Sequence, residues 1–218
     1  MQSGDVVLRA AREERRELAT RLPKRKQQWR KEQNRFLPGP GPLHPNLRPL
    51  AEAMNIGGCF SRIATGLWLG NRCVPFERLQ AAGIRLVVHV GTAQRYPDGA
   101  FEYVHVGISD GSEARLLGWF PDIGDRIHRH RTAGDAVFVH CQMGHSRSPT
   151  LVIAYLVSHL GLTLREALEL VQLRRPVSNP NTHFKLDLLR HELRIHGRNS
   201  LAMDANGREF ILPVAVDQ

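Results

Sequence analysis

The sequence has few cysteines and no long hydrophobic run. Its three cysteines, Cys59, Cys73 and Cys141, form no CxxC pair, and an odd number without a secretory signal argues against a disulfide framework. No apolar stretch approaches the roughly 20 residues that a membrane-spanning helix needs. We therefore expect no membrane span and a reducing compartment, either the cytoplasm or the nucleus.

The sequence also lacks the ligand spacing of a zinc site. Structural zinc sites use pairs of Cys or His a few residues apart. The eleven histidines and three cysteines form no such set. The sequence therefore predicts no metal site and no cofactor.

Positive charge is concentrated at the N-terminus of the chain, whose formal net charge is +9. Residues 1–48 contain twelve Lys or Arg and five Asp or Glu, whereas residues 55–218 contain eighteen and fifteen. The excess of positive charge in residues 1–48 argues for a solvated, partly disordered arm. The alternative is a docking segment for an acidic partner. The excess says little about the rest of the chain, and it argues against nucleic acid as the main partner without excluding it.

Composition divides the chain into three segments. Residues 1–54 are a basic extension with a Pro- and Gly-rich linker, residues 55–197 alternate predicted strands and helices, and residues 198–218 are a C-terminal tail. The tail is either flexible or adds a strand. The alternation predicts an α/β fold, with a central, mostly parallel sheet of about five strands flanked by helices.

The segment "HCQMGHSRSPT", residues 140–150, follows an apolar strand and opens a helix. A tight turn into a helix points successive N–H groups inward, and the helix dipole adds positive potential there. Gly144 allows a conformation that a Cβ would penalise, and Arg147 supplies a planar fork for two phosphate oxygens. A thiol in such surroundings ionises readily, so Cys141 is a candidate nucleophile next to an anion site.

Residues 140–148, H-C-x-x-G-x-x-R-S, resemble the active-site loop of the cysteine-dependent protein tyrosine phosphatases. The continuation "SPTLVIAYL", a helix ending in R-R-P and an N-x-x-F segment are similar to their dual-specificity branch, over roughly residues 60–195. The resemblance implies a phosphotyrosine-phosphatase-like fold and a small, atypical dual-specificity protein phosphatase. A structural thiol is the ordinary explanation for a strand-end cysteine, but the partners of Cys141 argue against it.

Expulsion of an alkoxide or phenoxide requires a general acid, which the family supplies as an Asp upstream of the Cys. Asp110 lies 31 residues before Cys141 and follows a predicted strand. Asp98 lies in a turn and Asp122 in a predicted helix, where turn and surface roles explain them better. Asp110 is therefore the candidate acid.

The resemblance implies the remaining roles. Cys141 attacks phosphorus, Arg147 and the N–H groups of residues 142–147 hold the equatorial oxygens, and Ser148 hydrogen-bonds the sulfur. His140 braces the loop through a hydrogen bond. The residues expected to contact substrate are Gln142, Met143, Gly144, His145, Ser146 and Arg147.

The role of two asparagines is open. Asn179 and Asn181 are explained first as residues that fix the "SNPN" turn and cap the last helix. A supporting hydrogen bond to the active-site loops is the less favoured alternative, for which Asn179 is a candidate. Cys59 or Cys73 could in turn resolve an oxidised Cys141, with a structural role as the default.

The favoured substrate is a phosphoprotein carrying phosphotyrosine, phosphoserine or phosphothreonine. The loop lacks the lysines usual in phosphoinositide phosphatases and the ending usual in RNA triphosphatases. Two alternatives stay open. One is the same chemistry on an RNA 5′-phosphate, a phosphoinositide or a glycan, and the other is a phosphoprotein-binding module with little activity.

Overall fold

Five strands form one sheet at the centre of the computed structural model, which describes residues 58–91, 96–97, 99–111, 113–204 and 209–211. The order is β1-β2-β5-β3-β4, with β1 antiparallel to β2 and all other pairs parallel. The predicted mostly parallel sheet of about five strands is confirmed. The strands are β1 Phe60–Ala64, β2 Leu67–Asn71, β3 Ile84–Val90, β4 Glu102–Val106 and β5 Ala136–Cys141.

Five α-helices cover both faces of the sheet. One face packs on α1 through a cluster that includes Leu79 and Phe138, and the other packs on the remaining helices through a larger cluster. This arrangement follows from the apolar strands, which have two faces to bury. The helices are α1 Phe76–Ala81, α2 Phe120–Thr132, α3 Arg147–Leu160, α4 Leu164–Arg174 and α5 Thr182–His196, with a 3₁₀ turn, Leu117–Trp119, before α2.

Local sequence signals set the helix ends. Thr163 and Glu166 have the T-x-x-E spacing of a capping box and form one at α4. The side chain of Asn181 accepts a hydrogen bond from the Phe184 N–H at the start of α5. Gly197 ends α5 in the left-handed conformation. Helix α3 begins at Arg147, and Pro149 lies in its first turn, where a proline has no intrahelical N–H bond to lose.

Strand β5 and helix α3 are both largely buried. All but the first residue of β5 are buried, and ten consecutive residues of α3, Ser148–Val157, are buried too. The connection between them is therefore anchored at both ends by the core. It emerges at the carboxyl end of the parallel strands, where open α/β sheets bind ligands.

The C-terminal segment contributes to the packed structure. Strand β6, Leu201–Met203, pairs antiparallel with β7, Glu209–Ile211, and Leu201 joins the main core cluster. Of the two alternatives for the tail, the structure therefore has an added strand at residues 209–211.

Several predictions fall on residues outside those that the structure describes. They include the basic arm of residues 1–48 and the Pro- and Gly-rich linker that follows it. Within the described ranges, no helix is both long enough and apolar enough to cross a membrane.

Glu192 joins α4, α5 and the segment before β6, and its removal should destabilise the fold. Its carboxylate is 1% exposed and accepts bonds from the N–H of Leu164 at 2.7 Å and from the N–H and Oγ of Ser200 at 2.9 and 2.7 Å. Because Glu192→Ala leaves buried donors without an acceptor, we expect the free energy of unfolding to fall by about 3 kcal/mol in denaturant titrations.

The exposed Glu77 of α1 is the matched control. Glu77→Ala should change the unfolding free energy by less than about 0.5 kcal/mol. Equal effects of the two substitutions would contradict a structural role for Glu192.

Candidate active site

The connection from β5 to α3 is a short loop with a thiol at one end and a guanidinium at the other. Cys141 is the last residue of β5 and Arg147 the first of α3. Gly144, between them, has φ +65°, a conformation that residues with a Cβ rarely adopt. The loop therefore turns within a few residues from the strand into the helix, as its sequence predicts.

Gly144 is also required by its contact with β2. A Cβ on Gly144 would lie 2.4 Å from the carbonyl oxygen of Gly70 and 2.8 Å from Nη2 of Arg175. The first of these atoms belongs to the backbone of a central strand and has no room to move. The loop is therefore pressed against the sheet at a distance that only glycine permits.

The surroundings of Cys141 stabilise its thiolate. Burial by itself would raise the pKa of this thiol, which is only 2% exposed. Hydrogen bonds from the Ser148 hydroxyl and from the backbone N–H groups of Ser148, Gly144 and His145 outweigh burial and lower the pKa. The Gly144 N–H and the Ser148 Oγ each lie 3.2 Å from the sulfur.

Arg147 lies between the thiol loop and Asp110. Its Nη1 donates to the carbonyl oxygen of Ile108 at 3.2 Å, and its Nε lies 3.6 Å from Oδ2 of Asp110. The side chain is 13% exposed. The structure thus brings Asp110, the acid that the family resemblance implied, to the same end of the sheet as Cys141 and Arg147.

The other carboxylate oxygen of Asp110 accepts two hydrogen bonds. Ser146 Oγ donates to Oδ1 at 2.7 Å, and Asn181 Nδ2 donates to the same oxygen at 2.8 Å. The backbone N–H of Asn181 also donates to Ser146 Oγ at 3.1 Å. Asn181 therefore both caps α5 and contacts the active-site loops, so the favoured role and the less favoured one occur together in this residue.

Arg175 is part of the site and was not recognised from the sequence. It is 3% exposed, and its guanidinium donates to the carbonyl oxygens of Gly144 at 2.8 Å, Met143 at 3.0 Å and Gly58 at 2.6 Å. The only signal for it was its place in the R-R-P end of a helix. Its partners are backbone carbonyl oxygens. Every residue has one, so the sequence does not indicate which of them Arg175 binds.

His140 lies within a row of stacked rings. It is fully buried and stacks on His89 at 4.7 Å and Phe138 at 5.0 Å between centroids. Burial first, then His105 and Arg147, lowers the pKa of His89 to about 4, so His89 is neutral at neutral pH. His140 thus supports the strand end by ring contacts, and the hydrogen bond expected of it stays a prediction.

The predicted substrate-contact residues divide by exposure. Gln142, Met143 and His145 are exposed, Met143 by 65%, whereas Gly144 and Ser146 are buried. Asn179 supports the loop through its backbone N–H, which donates to the His145 carbonyl at 2.7 Å. The exposed residues of the loop are therefore accessible to solvent, and its buried residues are fixed by contacts with the rest of the protein.

Strand β2 separates Cys59 from Cys141. Asn71 pairs with Cys141, and its N–H donates to the Cys59 carbonyl at 3.0 Å. Two strand spacings amount to about 10 Å between Cα atoms, more than the roughly 7 Å that a disulfide spans. A disulfide between them would need backbone movement, and Cys73 is exposed in the turn after β2.

Among the residues that the structure describes, no three His, Cys, Asp or Glu side chains converge in a way that could hold an ion.

Comparison with known proteins assigns the family. The sequence model of the dual specificity phosphatase catalytic domain matches residues 67–194. Dual specificity protein phosphatase 14 of Mus musculus is 37% identical over 152 residues, 68% of this chain and 76% of that protein. The chain therefore belongs to the dual specificity phosphatase family.

Solved structures agree with this assignment. Human DUSP28 is 31% identical, with a TM-score of 0.60 over 62% of this chain and 94% of that chain. The human tyrosine phosphatase-like serine/threonine/tyrosine-interacting protein is 28% identical, with a TM-score of 0.59 over 62% and 96%. These findings confirm the predicted fold and the predicted class, a cysteine-dependent dual-specificity protein phosphatase.

Ser148→Ala should raise the pKa of Cys141, because the Ser148 hydroxyl contributes the strongest of the hydrogen bonds that lower it. We expect the pH midpoint for alkylation of Cys141 by iodoacetamide to move upward. Peptide mass spectrometry separates Cys141 from Cys59 and Cys73.

Ser158→Ala is the control, since Ser158 lies in the same helix and bonds to Ala154 and His159 instead. Its alkylation midpoint should equal that of the wild type. An unchanged midpoint in Ser148→Ala would contradict the assigned cause.

Proposed function

We propose that the chain hydrolyses phosphate monoesters on phosphotyrosine and on phosphoserine or phosphothreonine of proteins, with a phosphocysteine intermediate. The observation that carries this proposal is the buried Cys141 thiol, which accepts hydrogen bonds at 3.2 Å from the Ser148 hydroxyl and from the Gly144 N–H. With the N–H groups of Ser148 and His145, these bonds lower the pKa of the thiol against the effect of burial. A thiolate is the nucleophilic form of cysteine. The same N–H groups are suited to a phosphate dianion.

In the first step, the Cys141 thiolate attacks phosphorus and the bond to the ester oxygen breaks. Arg147 binds two equatorial oxygens, and loop N–H groups bind the remaining charge. These donors are fixed before substrate arrives, so they stabilise the transition state without reorganising. The contact of Arg147 with the Ile108 carbonyl supports such a fixed orientation.

Asp110 gives its proton to the leaving oxygen in this step. Two donors occupy Oδ1, so Oδ2, which lies 3.6 Å from Nε of Arg147, is the oxygen available for proton transfer. In the second step, the carboxylate accepts a proton from water as that water attacks the phosphocysteine. Ser148 hydrogen-bonds the departing thiolate, which its 3.2 Å contact with the sulfur supports.

The exposed part of the loop supports a protein substrate. None of its three exposed positions, which are Gln142, Met143 and His145, is a lysine or arginine that would bind a multiply phosphorylated inositol ring. The exposed, apolar Met143 is suited to the side chains that flank a phosphorylated residue in a peptide. The substrate is therefore expected to be a phosphoprotein.

The basic arm is proposed to bind an acidic partner, on the basis of its charge. Deletion of residues 1–48 should leave the turnover of p-nitrophenyl phosphate unchanged and abolish binding to polyglutamate in a fluorescence anisotropy titration. Equal binding by the full-length and shortened chains would contradict a docking role.

The substrate class can be tested by phosphate release from four substrates. They are a phosphotyrosine peptide, a phosphothreonine peptide, an RNA 5′-triphosphate and a phosphoinositide. We expect release from both peptides, and Cys141→Ser should reduce it by on the order of 1,000-fold or more, because the nucleophile is lost.

Cys59→Ser serves as the matched control, because Cys59 lies on the far side of β2 from Cys141. It should retain activity. Equal release by wild type and Cys141→Ser would exclude the mechanism, and release from RNA or lipid alone would exclude the protein substrate.

A further inference from the structure

Asp187, on α5, is a buried carboxylate outside the loop that holds the thiol. It is 0% exposed, and its Oδ2 accepts bonds from the N–H groups of Leu116 at 2.8 Å and Leu117 at 3.3 Å. Its Oδ1 lies 3.5 Å from Nη1 of Arg190. Burial of a carboxylate is unfavourable unless its hydrogen bonds compensate for the loss of water. The bonds to the N–H groups of Leu116 and Leu117 therefore show which part of the chain Asp187 stabilises.

The two N–H groups open the 3₁₀ turn that leads into α2. The first N–H groups of a helical segment have no partner within it, and a carboxylate there is favoured by the helix dipole. The same turn ends the segment that starts at Asp110. Asp187 therefore fixes the far end of the segment that carries the acid.

Asn181, six residues earlier in the chain than Asp187, fixes the other end of this segment, at Asp110 itself. Its Oδ1 is used to cap α5, accepting from the N–H of Phe184 at 3.0 Å. This bond sets the orientation of the amide, so Nδ2 faces Asp110 Oδ1 at 2.8 Å. The cap and the contact with Asp110 therefore depend on each other.

We infer that α5 sets the position of Asp110 for proton transfer, with Asn181 holding the carboxylate and Asp187 holding the end of its segment. Both are positioning residues, since neither needs to touch substrate. This inference rests on the proposed role of Asp110 as general acid. It extends that role, because it places the control of the acid on a helix more than 70 residues further along the chain.

The dependence of the rate on the leaving group distinguishes a displaced Asp110 from a less stable protein. p-Nitrophenyl phosphate expels a stabilised phenolate and needs little protonation, whereas phenyl phosphate needs the acid. Loss of protein stability reduces both rates equally. Displacement of Asp110 reduces kcat/KM for phenyl phosphate selectively.

Asn181→Ser retains a capping oxygen and loses the amide donor. We expect it to reduce kcat/KM for phenyl phosphate about tenfold more than that for p-nitrophenyl phosphate, since small displacements of a catalytic group have effects of this order. In an Asp110→Asn background, the same substitution should produce no further change in the ratio of the two rates.

Asp187→Ala should change the ratio in the same direction, and Asp187→Asn, which keeps an acceptor, should restore most of it. Glu192→Ala is the matched control, because Glu192 is the other buried carboxylate of α5 and bonds to Leu164 and Ser200 instead. It should lower stability and leave the ratio unchanged. If Asp187→Ala does not fold, Asp187→Asn and Asn181→Ser still decide the question.

The outcomes separate the two proposals. If Asp110→Asn leaves the ratio unchanged, the general-acid role fails. If Asp110→Asn changes it and the Asn181 and Asp187 variants do not, or change it no more than Glu192→Ala does, the positioning role is overturned.

Discussion

The backbone of the thiol loop lies so close to strand β2 that no side chain fits between Gly144 and Gly70. A Cβ on Gly144 would lie 2.4 Å from the Gly70 carbonyl oxygen, and one on Gly70 would lie 2.2 Å from the Cys59 carbonyl oxygen. The backbone of Cys59, just before β1, the backbone of β2 and that of the loop are thus in direct contact. Because β2 is itself paired on both sides, the loop takes its shape from the least deformable part of the fold.

This stacking also determines the electrostatics of the site. Arg175 donates to the carbonyl oxygens of Met143 and Gly144, while the N–H of Gly144 donates to the thiol. A buried guanidinium on the outside of the loop therefore compensates for carbonyl groups that would otherwise repel an anion. On the side of the thiol, the Ser148 hydroxyl and the N–H groups of Ser148, Gly144 and His145 outweigh burial and lower the pKa of Cys141.

Predictions from the sequence succeeded where the relevant interactions are local. The strand, the turn at Gly144 and the helix after Arg147 depend on neighbouring residues, as do the caps at Thr163 and Asn181. Family resemblance supplied the enzyme class. The same resemblance singled out Asp110, but it did not identify the hydrogen-bond partners of that carboxylate.

The remaining contacts join residues far apart in the sequence to backbone atoms or to a few polar atoms. Arg175 bonds to Gly58 across 117 residues, and Asp187 to Leu116 across 71. Nothing in the type of residue at either position specifies such a partner, since Arg and Asp are ordinary on helix surfaces. Only the fold reveals that both side chains are buried.

The site therefore has two parts with different physical constraints. Cys141, Ser146 and Ser148 are buried and hydrogen-bonded, so their geometry is fixed by the fold and a change of one disturbs the others. Gln142, Met143 and His145 are exposed, so a change in them alters the surface of the loop without a cost in packing. Phosphate chemistry therefore depends on groups that the folded core holds in place, and the proposed selection among substrates falls to the three exposed side chains of the same loop.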